Sequence, residues 1–332
     1  MNFKTAVVIL NYNGKEFLQK FLPSVVKFSA TAKIFVVDNF SSDFSIPFLE
    51  ASYPEIQLIK LSQNFGFAGG YNEALKQIDS EYYVLLNSDV EVTNNWLDPL
   101  EILAQSDSQI AAIQPKILDF NRKEYFEYAG AAGGFLDIFG YPFCKGRIFE
   151  TIEEDKGQFE EESPIFWASG ACLFLKSSVF HAVGGFDASF FAHMEEIDLC
   201  WRFQNEGFKV MYCPKSSVYH VGGGTLNKSN PFKTFLNYRN NLSMLFKNLP
   251  SKFLIPILLF RLMLDGVSAL KFLKEGSFKD IFAILKAHFS FYSLIPKLKT
   301  KRSMRFLGFN NLYKKSIIWD YFIRNKKEFK EL

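Results

Sequence analysis

The sequence has no paired cysteines, no leader-like segment and no long uninterrupted apolar run. Its four cysteines, Cys144, Cys172, Cys200 and Cys213, show neither disulfide-type nor metal-type spacing. That excludes a disulfide scaffold and a zinc site built on thiolates. Cys172 and Cys200 sit among apolar residues, where a free thiol acts as a small hydrophobe. Thr5–Leu10 is too short for the apolar core of a signal peptide, and no basic segment leads it. A reduced, cytoplasmic protein is therefore expected. The run Phe253–Leu264 is too short to span a bilayer and contains Pro256 and Arg261. A large excess of one charge is also lacking, with a formal net charge of +3 over 332 residues. No internal repeat is visible.

What charge excess exists is local. From Lys297 to Leu332 there are eleven Lys and Arg against three Asp and Glu. A basic tail beside apolar helices suggests a peripheral site on an anionic membrane surface more than nucleic acid. A solvated basic tail, or apolar faces buried internally or in a homodimer, are the alternatives.

The first 120 residues alternate between strand and helix. Buried-type strands are expected at Thr5–Leu10, Lys33–Val37, Ile56–Leu61, Tyr82–Leu86 and Ile110–Ile117. Helices are expected at Lys15–Phe28, Gly69–Ile78 and Trp96–Ala104. This βαβ pattern argues for an α/β fold with a mostly parallel central sheet flanked by helices. Between residues 120 and 163 the pattern breaks into glycines and the acidic run Glu150–Glu162. That reads as a long loop or hairpin over the active face, partly mobile. Strand character returns at Ile165–Leu175 and Lys209–His220, and from Pro231 the chain reads as helical. The expected organisation is one domain over residues 1–245 and a helical, basic extension over 246–332.

Successive strands of the first half end in polar residues: Asn11-Tyr12-Asn13-Gly14, Asp38-Asn39, Asn64-Phe65-Gly66 and Asn87-Ser88-Asp89. Together they form a polar rim on one sheet edge, where ligands of open α/β sheets bind. Asp38 is suited to accept from a base N–H, or to close an Asx turn. The stretch from Asn64 through Gly66 and Gly69 to Asn72 opens a helix that can serve phosphate or ribose oxygens. YYVLLNSDV at Tyr82–Val90 delivers the carboxylate of Asp89, suited to holding a divalent metal against a phosphate, or a plain turn. Glu195, Glu196 and Asp198 fall within four residues at a helix start. Mutual repulsion there would tune one carboxylate toward general-base work. His220 closes a strand before a glycine run, as a metal ligand or a structural histidine. His181, His193 and His288 lack such context and read as structural. Arg239 reads as a diphosphate clamp or a surface helix residue.

These motifs together resemble the family 2 nucleotide-sugar glycosyltransferases, and most of all rhamnosyltransferase-like bacterial members. The matching segments are VVILNYNG at Val7–Gly14, VVDNFSSD at Val36–Asp43, NFGFAGGYN at Asn64–Asn72 and LLNSDV at Leu85–Val90. SGACLFLKSSVFHAVGGFD at Ser169–Asp187, FFAHMEEIDLCWR at Phe190–Arg202 and YHVGGGT at Tyr219–Thr225 continue the order. The resemblance implies a GT-A, Rossmann-like fold and inverting transfer from a UDP- or dTDP-sugar to a glycan or lipid-linked oligosaccharide. It implies Mg²⁺ or Mn²⁺ at Asp89 and His220, with Asn87-Ser88-Asp89 standing as the Asp-x-Asp motif. It implies base and nucleotide contacts from Asn11, Asn13, Asp38, Asn39, Asn64, Gly66, Gly69, Asn72, Asn87 and Ser88. Glu196, with Glu195 as alternate, takes the catalytic-base position. Trp167, Ser169, Gly170, Asp198 and Arg239 are implied to line the donor or acceptor pocket.

Two departures are visible. Asn87 replaces the first acid of Asp-x-Asp, and an amide is a poorer ligand for a hard cation. Glu196 stands where an Asp is usual, one methylene longer. A sugar-1-phosphate nucleotidyltransferase would carry a Gly-rich, Arg- and Lys-containing loop after the first strand, and Asn11-Tyr12-Asn13-Gly14 is not one. A non-catalytic nucleotide- or membrane-binding subunit would have no need of Asp89, His220 and the Glu pair.

Overall fold

The computed structural model describes residues 3–222 and 230–332. The chain begins with β1 (Thr5–Asn11), α1 (Lys15–Phe28), β2 (Lys33–Asp38), α2 (Ser45–Ser52), β3 (Gln57–Lys60), α3 (Gly66–Leu75) and β4 (Tyr82–Asn87). After these come β5 (Val90–Val92), α4 (Asp98–Ser106) and β6 (Ile110–Asp119). Next are β7 (Gly134–Leu136), β8 (Pro142–Cys144), β9 (Arg147–Ile148), β10 (Thr151–Ile152) and β11 (Ser163–Pro164). The remainder holds β12 (Cys172–Lys176), α5 (Ser177–Ala182), α6 (Glu195–Asn205), β13 (Lys209–His220), α7 (Pro231–Asn248), α8 (Ser251–Lys274) and α9 (Phe278–Thr300).

The central sheet runs β11-β13-β6-β12-β4-β1-β2-β3, with β5 paired to β13. Its half from β4 to β3 is parallel. Beyond β4 it is mixed, because β12 is antiparallel to both β4 and β6. Val7, Val8, Val84, Leu85 and Leu86 are fully buried, since helices cover both faces of the sheet. On one face α1 seats Leu18, Phe21, Leu22 and Val25. On the other, Tyr71 of α3 lies against β1 and β4 and donates its hydroxyl to Leu86 O at 3.2 Å.

Three local expectations shift. The helix expected from Gly69 starts at Gly66, whose N–H donates to Asn64 Oδ1 at 2.8 Å. The strand expected over Ile165–Leu175 is regular only from Cys172 to Lys176. Ahead of it Ser169 N donates at 2.8 Å to the side-chain Oε1 of Gln114 on β6 and not to a backbone carbonyl. Residues 120–163 hold an antiparallel sheet of order β10-β9-β8-β7. Their acidic run is tied down where Lys116 pairs with Asp155 at 2.8 Å and with Glu160.

The apolar run that seemed too short to cross a bilayer lies inside one continuous 24-residue helix, α8, which contains an 18-residue window of mean hydropathy 1.9. By length and composition it is long enough to span. The basic tail is docked, not free. Ile317 and Tyr321 pack with Phe143 and Ile148 of the small sheet. Buried Asp137 accepts from Ile317 N at 3.0 Å and from Tyr141 N at 2.8 Å.

A buried ion network joins α7 to the sheet body. Lys247, 2% exposed, donates to Asp187 Oδ2 at 2.8 Å and Asp198 Oδ2 at 2.9 Å. Arg202 Nε adds a bond to Asp198 Oδ2 at 2.9 Å. Burial would raise Asp198, but Lys247 and Arg202 outweigh it and hold its carboxyl below the usual range. Removing Lys247 takes a buried charge partner from both carboxylates at once, leaving Asp198 to Arg202 and Asn248 and Asp187 to Lys301. Lys247→Met should therefore cost about 3–5 kcal/mol in a denaturant titration. The network's contribution lies above the ordinary carboxylate pKa and is lost as pH falls through the depressed folded values. The gap between the variant and the native protein should accordingly narrow in acid.

Candidate functional site

The rim expected from the strand ends exists, and its polar groups are bonded largely to one another. Asn11 Nδ2 donates to Asp38 Oδ1 at 3.3 Å and Ser41 Oγ at 3.2 Å. Asp38 Oδ2 accepts from Ser41 N at 2.9 Å, so the Asx-type turn is present. Asn13, at φ 52°, holds the 42–43 turn by accepting from Ser42 N at 2.7 Å. Asn39 Nδ2 donates to Asn64 Oδ1 and Gly66 O, each at 3.0 Å, and Asn39 Oδ1 accepts from Phe65 N at 3.0 Å. The side chain of Asn39 thus frames the rim, holding Asn64 Oδ1 in place. Asn72 is further removed: its amide exchanges two bonds with the backbone of Phe186, at 2.8 and 2.9 Å. Gly66 and Gly69 permit close approach. Gly66 has φ +71°, and a Cβ there would lie 2.6 Å from Phe191.

Beside this frame, β13 returns from late in the chain to pair with β5. His220 pairs in register with Val90 of β5, and Val221 N donates to Asp89 O at 3.1 Å. Asp89 Oδ1 then lies 3.2 Å from His220 Nε2, with both side chains buried. The other ring nitrogen, Nδ1, lies 3.4 Å from Glu127 Oε1. Burial alone would push the imidazole down, but Glu127 and Asp89 outweigh it and raise it to about 10. Ser88 sits on the rim, where a Cβ added at Gly14 would come 3.4 Å from Ser88 Oγ. Asn87 ends β4, with its N–H donating to Ala171 O at 3.0 Å. Gly223, Gly224 and Thr225 of the expected glycine loop lie outside the described residues.

The residues fit a divalent cation. A separation of 3.2 Å suits two adjacent ligands of one cation with bonds of about 2.1 Å. Imidazole with carboxylate is an acceptable donor pair for Mn²⁺ or Mg²⁺. Among the described residues no group of three or more His, Cys, Asp or Glu forms a complete metal cage, so a bound diphosphate would complete the shell. Glu127 was missed from sequence. It lies in the 120–163 segment, where no motif marked it, with Oε1 3.4 Å from His220 Nδ1.

The acid pair begins α6 after a strained approach. Phe191, His193 and Met194 all have positive φ, at 66°, 68° and 72°, a costly arrangement for residues with side chains. The loop is held from two sides. Phe191 O accepts from Phe67 N at 2.7 Å and Ala68 N at 3.2 Å, at the start of α3. Asn240 Nδ2 of α7 donates to Phe190 O, Ala192 O and His193 O at 2.8–2.9 Å. Glu195 is buried and Glu196 partly so; Oε2 of each finds no partner among the described residues. Burial pushes both carboxyls up, Glu195 further because Glu196 and Asp198 repel its charge, and Glu196 to about 7. His193, also without a partner at Nε2, is pushed down to about 4 by burial and nearby Lys233.

The five residues expected in the pocket all make contacts within the protein. Asp198 is 0% exposed and spends its oxygens on Arg202, Lys247 and Asn248. Arg239 donates through Nη2 to Ser189 O and Phe190 O, each at 3.0 Å, so it braces the strained loop rather than standing ready for a diphosphate. The Trp167 indole donates to Phe135 O at 2.8 Å, with Gly134 packed on its ring. Ser169 Oγ accepts from Ala171 N at 3.2 Å. Gly170 lies near Phe67, where a Cβ would come 2.9 Å from its ring. An open cleft lined by Gln77, Asp79 and His181 lies at the opposite, amino end of β4.

This architecture matches solved glycosyltransferases. S. aureus TarS 1–349 in complex with UDP-GlcNAc aligns with a TM-score of 0.57 at 13% identity, covering 90% of this chain and 84% of that one. GalNAc-T7 with UDP, GalNAc and Mn²⁺ aligns with a TM-score of 0.59 at 17% identity, covering 75% and 49%. The fold is thereby defined as GT-A. The sequence profile of Glycosyl transferase family 2 matches residues 6–184, and the chain belongs to that family. It is 26% identical over 230 residues to N-acetylglucosaminyl-diphospho-decaprenol L-rhamnosyltransferase of Mycobacterium tuberculosis, covering 64% of this chain and 75% of the relative. It is 25% identical over 243 residues to the low-salt glycan biosynthesis hexosyltransferase Agl10 of Haloferax volcanii, covering 71% and 73%. It is 23% identical over 220 residues to rhamnosyltransferase WbbL of Escherichia coli, covering 64% and 82%.

If Glu127 orients His220 toward a cation, Glu127→Gln should weaken Mn²⁺ binding about 10–100-fold. Calorimetric titration of Mn²⁺ in the presence of UDP reads this directly. Unchanged affinity would remove Glu127 from the metal corner.

Proposed function

We propose that the protein transfers a sugar, with inversion, from a UDP- or dTDP-sugar to a hydroxyl of a glycan or lipid-linked oligosaccharide in cell-surface polysaccharide synthesis. The observation that carries this reading is the pair of unpartnered carboxylates, Glu195 and Glu196, on the loop braced against the α3 end of the rim. Two related rhamnosyltransferases and a hexosyltransferase support the sugar-transfer chemistry. The Mycobacterium relative's name describes a lipid-diphosphate-linked acceptor, which favours a cytoplasmic reaction on the inner face of a membrane.

In this mechanism Asp38 and the turn it closes receive the base, and Asp89 and His220 receive the diphosphate end of the donor. Mg²⁺ or Mn²⁺ bound at Asp89 and His220 supplies positive charge against the leaving diphosphate. Glu196 accepts the proton of the acceptor hydroxyl as that oxygen forms its bond to the anomeric carbon. The bond from that carbon to the diphosphate oxygen breaks, and the nucleoside diphosphate departs with the electron pair. Burial suits Glu196 to the task, because a carboxylate raised to about 7 is a stronger base than an exposed one. Glu195, buried deeper, is favoured in its protonated, neutral form beside it.

A base must be deprotonated to act, so kcat/KM should rise with pH through about 7. Glu196→Gln should lower kcat about 10²–10⁴-fold and abolish that rise. If Glu195→Gln shows the loss and Glu196→Gln does not, the two roles exchange. If neither variant loses transfer, the base lies elsewhere.

A further inference from the structure

The α8–α9 hairpin presents apolar residues that nothing among the described residues covers. On α8, Ile255, Leu259, Met263, Val267 and Leu270 are all exposed. Their spacing of three and four residues puts them on one helix face. The opposite face, with Leu254, Ile257, Leu258, Arg261 and Asp265, is buried on the body. On α9 the same division recurs. Phe278, Phe282, Leu285 and Phe289 are exposed, Phe282 at 70% and Phe289 at 73%, while Ala283, Ile284, Ala287 and Phe291 are buried. Two adjacent helices each keep an apolar stripe turned away from the body, an amount of exposed apolar surface that marks an interaction site.

Charge on the hairpin is one-sided. Lys271, Lys274 and Lys279 surround the turn, Lys286 follows on α9, and Lys252 and Lys297 stand at the base, all exposed. The acids are mostly engaged internally. Asp265 pairs with Arg261 at 2.9 Å and with His288 at 3.1 Å. Asp280 accepts from Thr234 Oγ1 at 2.6 Å.

We propose that this face is a docking surface for an anionic lipid bilayer, with the apolar stripes at the acyl boundary and the lysines among anionic headgroups. A second copy of the chain fits less well. A two-fold contact through the same patch would set lysines against lysines. The hairpin lies on the bilayer and does not cross it. Crossing would require α8 to leave the body and carry Arg261 and Asp265 into hydrocarbon. The proposal is independent of the transfer chemistry, although a surface-bound enzyme is well placed for a lipid-linked acceptor.

The test is co-sedimentation of the full chain with vesicles of phosphatidylcholine and phosphatidylglycerol, against phosphatidylcholine alone. The wild type should bind the anionic vesicles and be released by high salt. The exposed double variant Phe282→Glu/Phe289→Glu should reduce binding tenfold or more. Its donor-sugar hydrolysis without vesicles should stay at the wild-type rate, which separates this proposal from the proposed reaction. Lys271→Glu/Lys274→Glu/Lys279→Glu should lose the preference for anionic lipid. Absence of wild-type binding, or equal binding by both variants, would overturn the proposal. So would sedimentation-velocity evidence of a dimer that Phe282→Glu/Phe289→Glu dissolves, because the occupant would then be a second copy.

Discussion

The candidate site depends on the register of one strand. β13 must run far enough, and in the right phase, to bring His220 beside Asp89. Along β6 its pairing is irregular between Cys213 and Ser217, where Pro214 has no N–H to give to a ladder. Beyond that break Val218, Tyr219 and His220 pair with Val92, Glu91 and Val90 of β5. Ser216 Oγ fixes the phase by donating to Trp96 O at 2.6 Å. A slip of one residue would turn His220 to the other face of the sheet and leave Asp89 alone.

A second constraint comes from the helices after the sheet. α7 does more than cover apolar surface. Asn240 and Arg239 hold the carbonyls of residues 189–193, and Lys247 neutralises Asp187 and Asp198 on either side of that loop. Three positive-φ residues in four positions would relax without those bonds. The acid pair is thus placed by residues more than forty positions later in the sequence. The polar groups of the region divide into two kinds. Asn39, Asn64, Asn72, Asp198 and Arg239 spend their hydrogen bonds on the frame. Glu195 and Glu196 each keep an oxygen without a hydrogen-bond partner among the described residues, and that pair is given the base role.

Much of the fold was legible because buried parallel strands are continuous apolar runs that stop at polar residues. Tyr82–Asn87 is such a run, and its end was visible in the chain. The antiparallel insertion of β12 was not, since Cys172–Lys176 reads alike in either direction. The sheet of residues 134–152 was hidden because its strands are two or three residues long and are held by tertiary packing from the tail. For the site, residue type marked Asp89, His220 and the Glu pair. It could not tell Asp198 from its neighbours, because only the position of Lys247 shows where that carboxylate points. Glu127 carried no local signal; its role comes from lying 3.4 Å from His220 in three dimensions.

The central claim is that one carboxylate and one imidazole, aligned by β13, hold a divalent cation against the donor diphosphate. Pulsed electron paramagnetic resonance of Mn²⁺ bound with UDP, on protein carrying ¹⁵N-labelled histidine, tests it most directly. The account predicts one directly coordinated imidazole nitrogen, absent from His220→Gln. A spectrum without nitrogen coupling, or one unchanged in that variant, would contradict it.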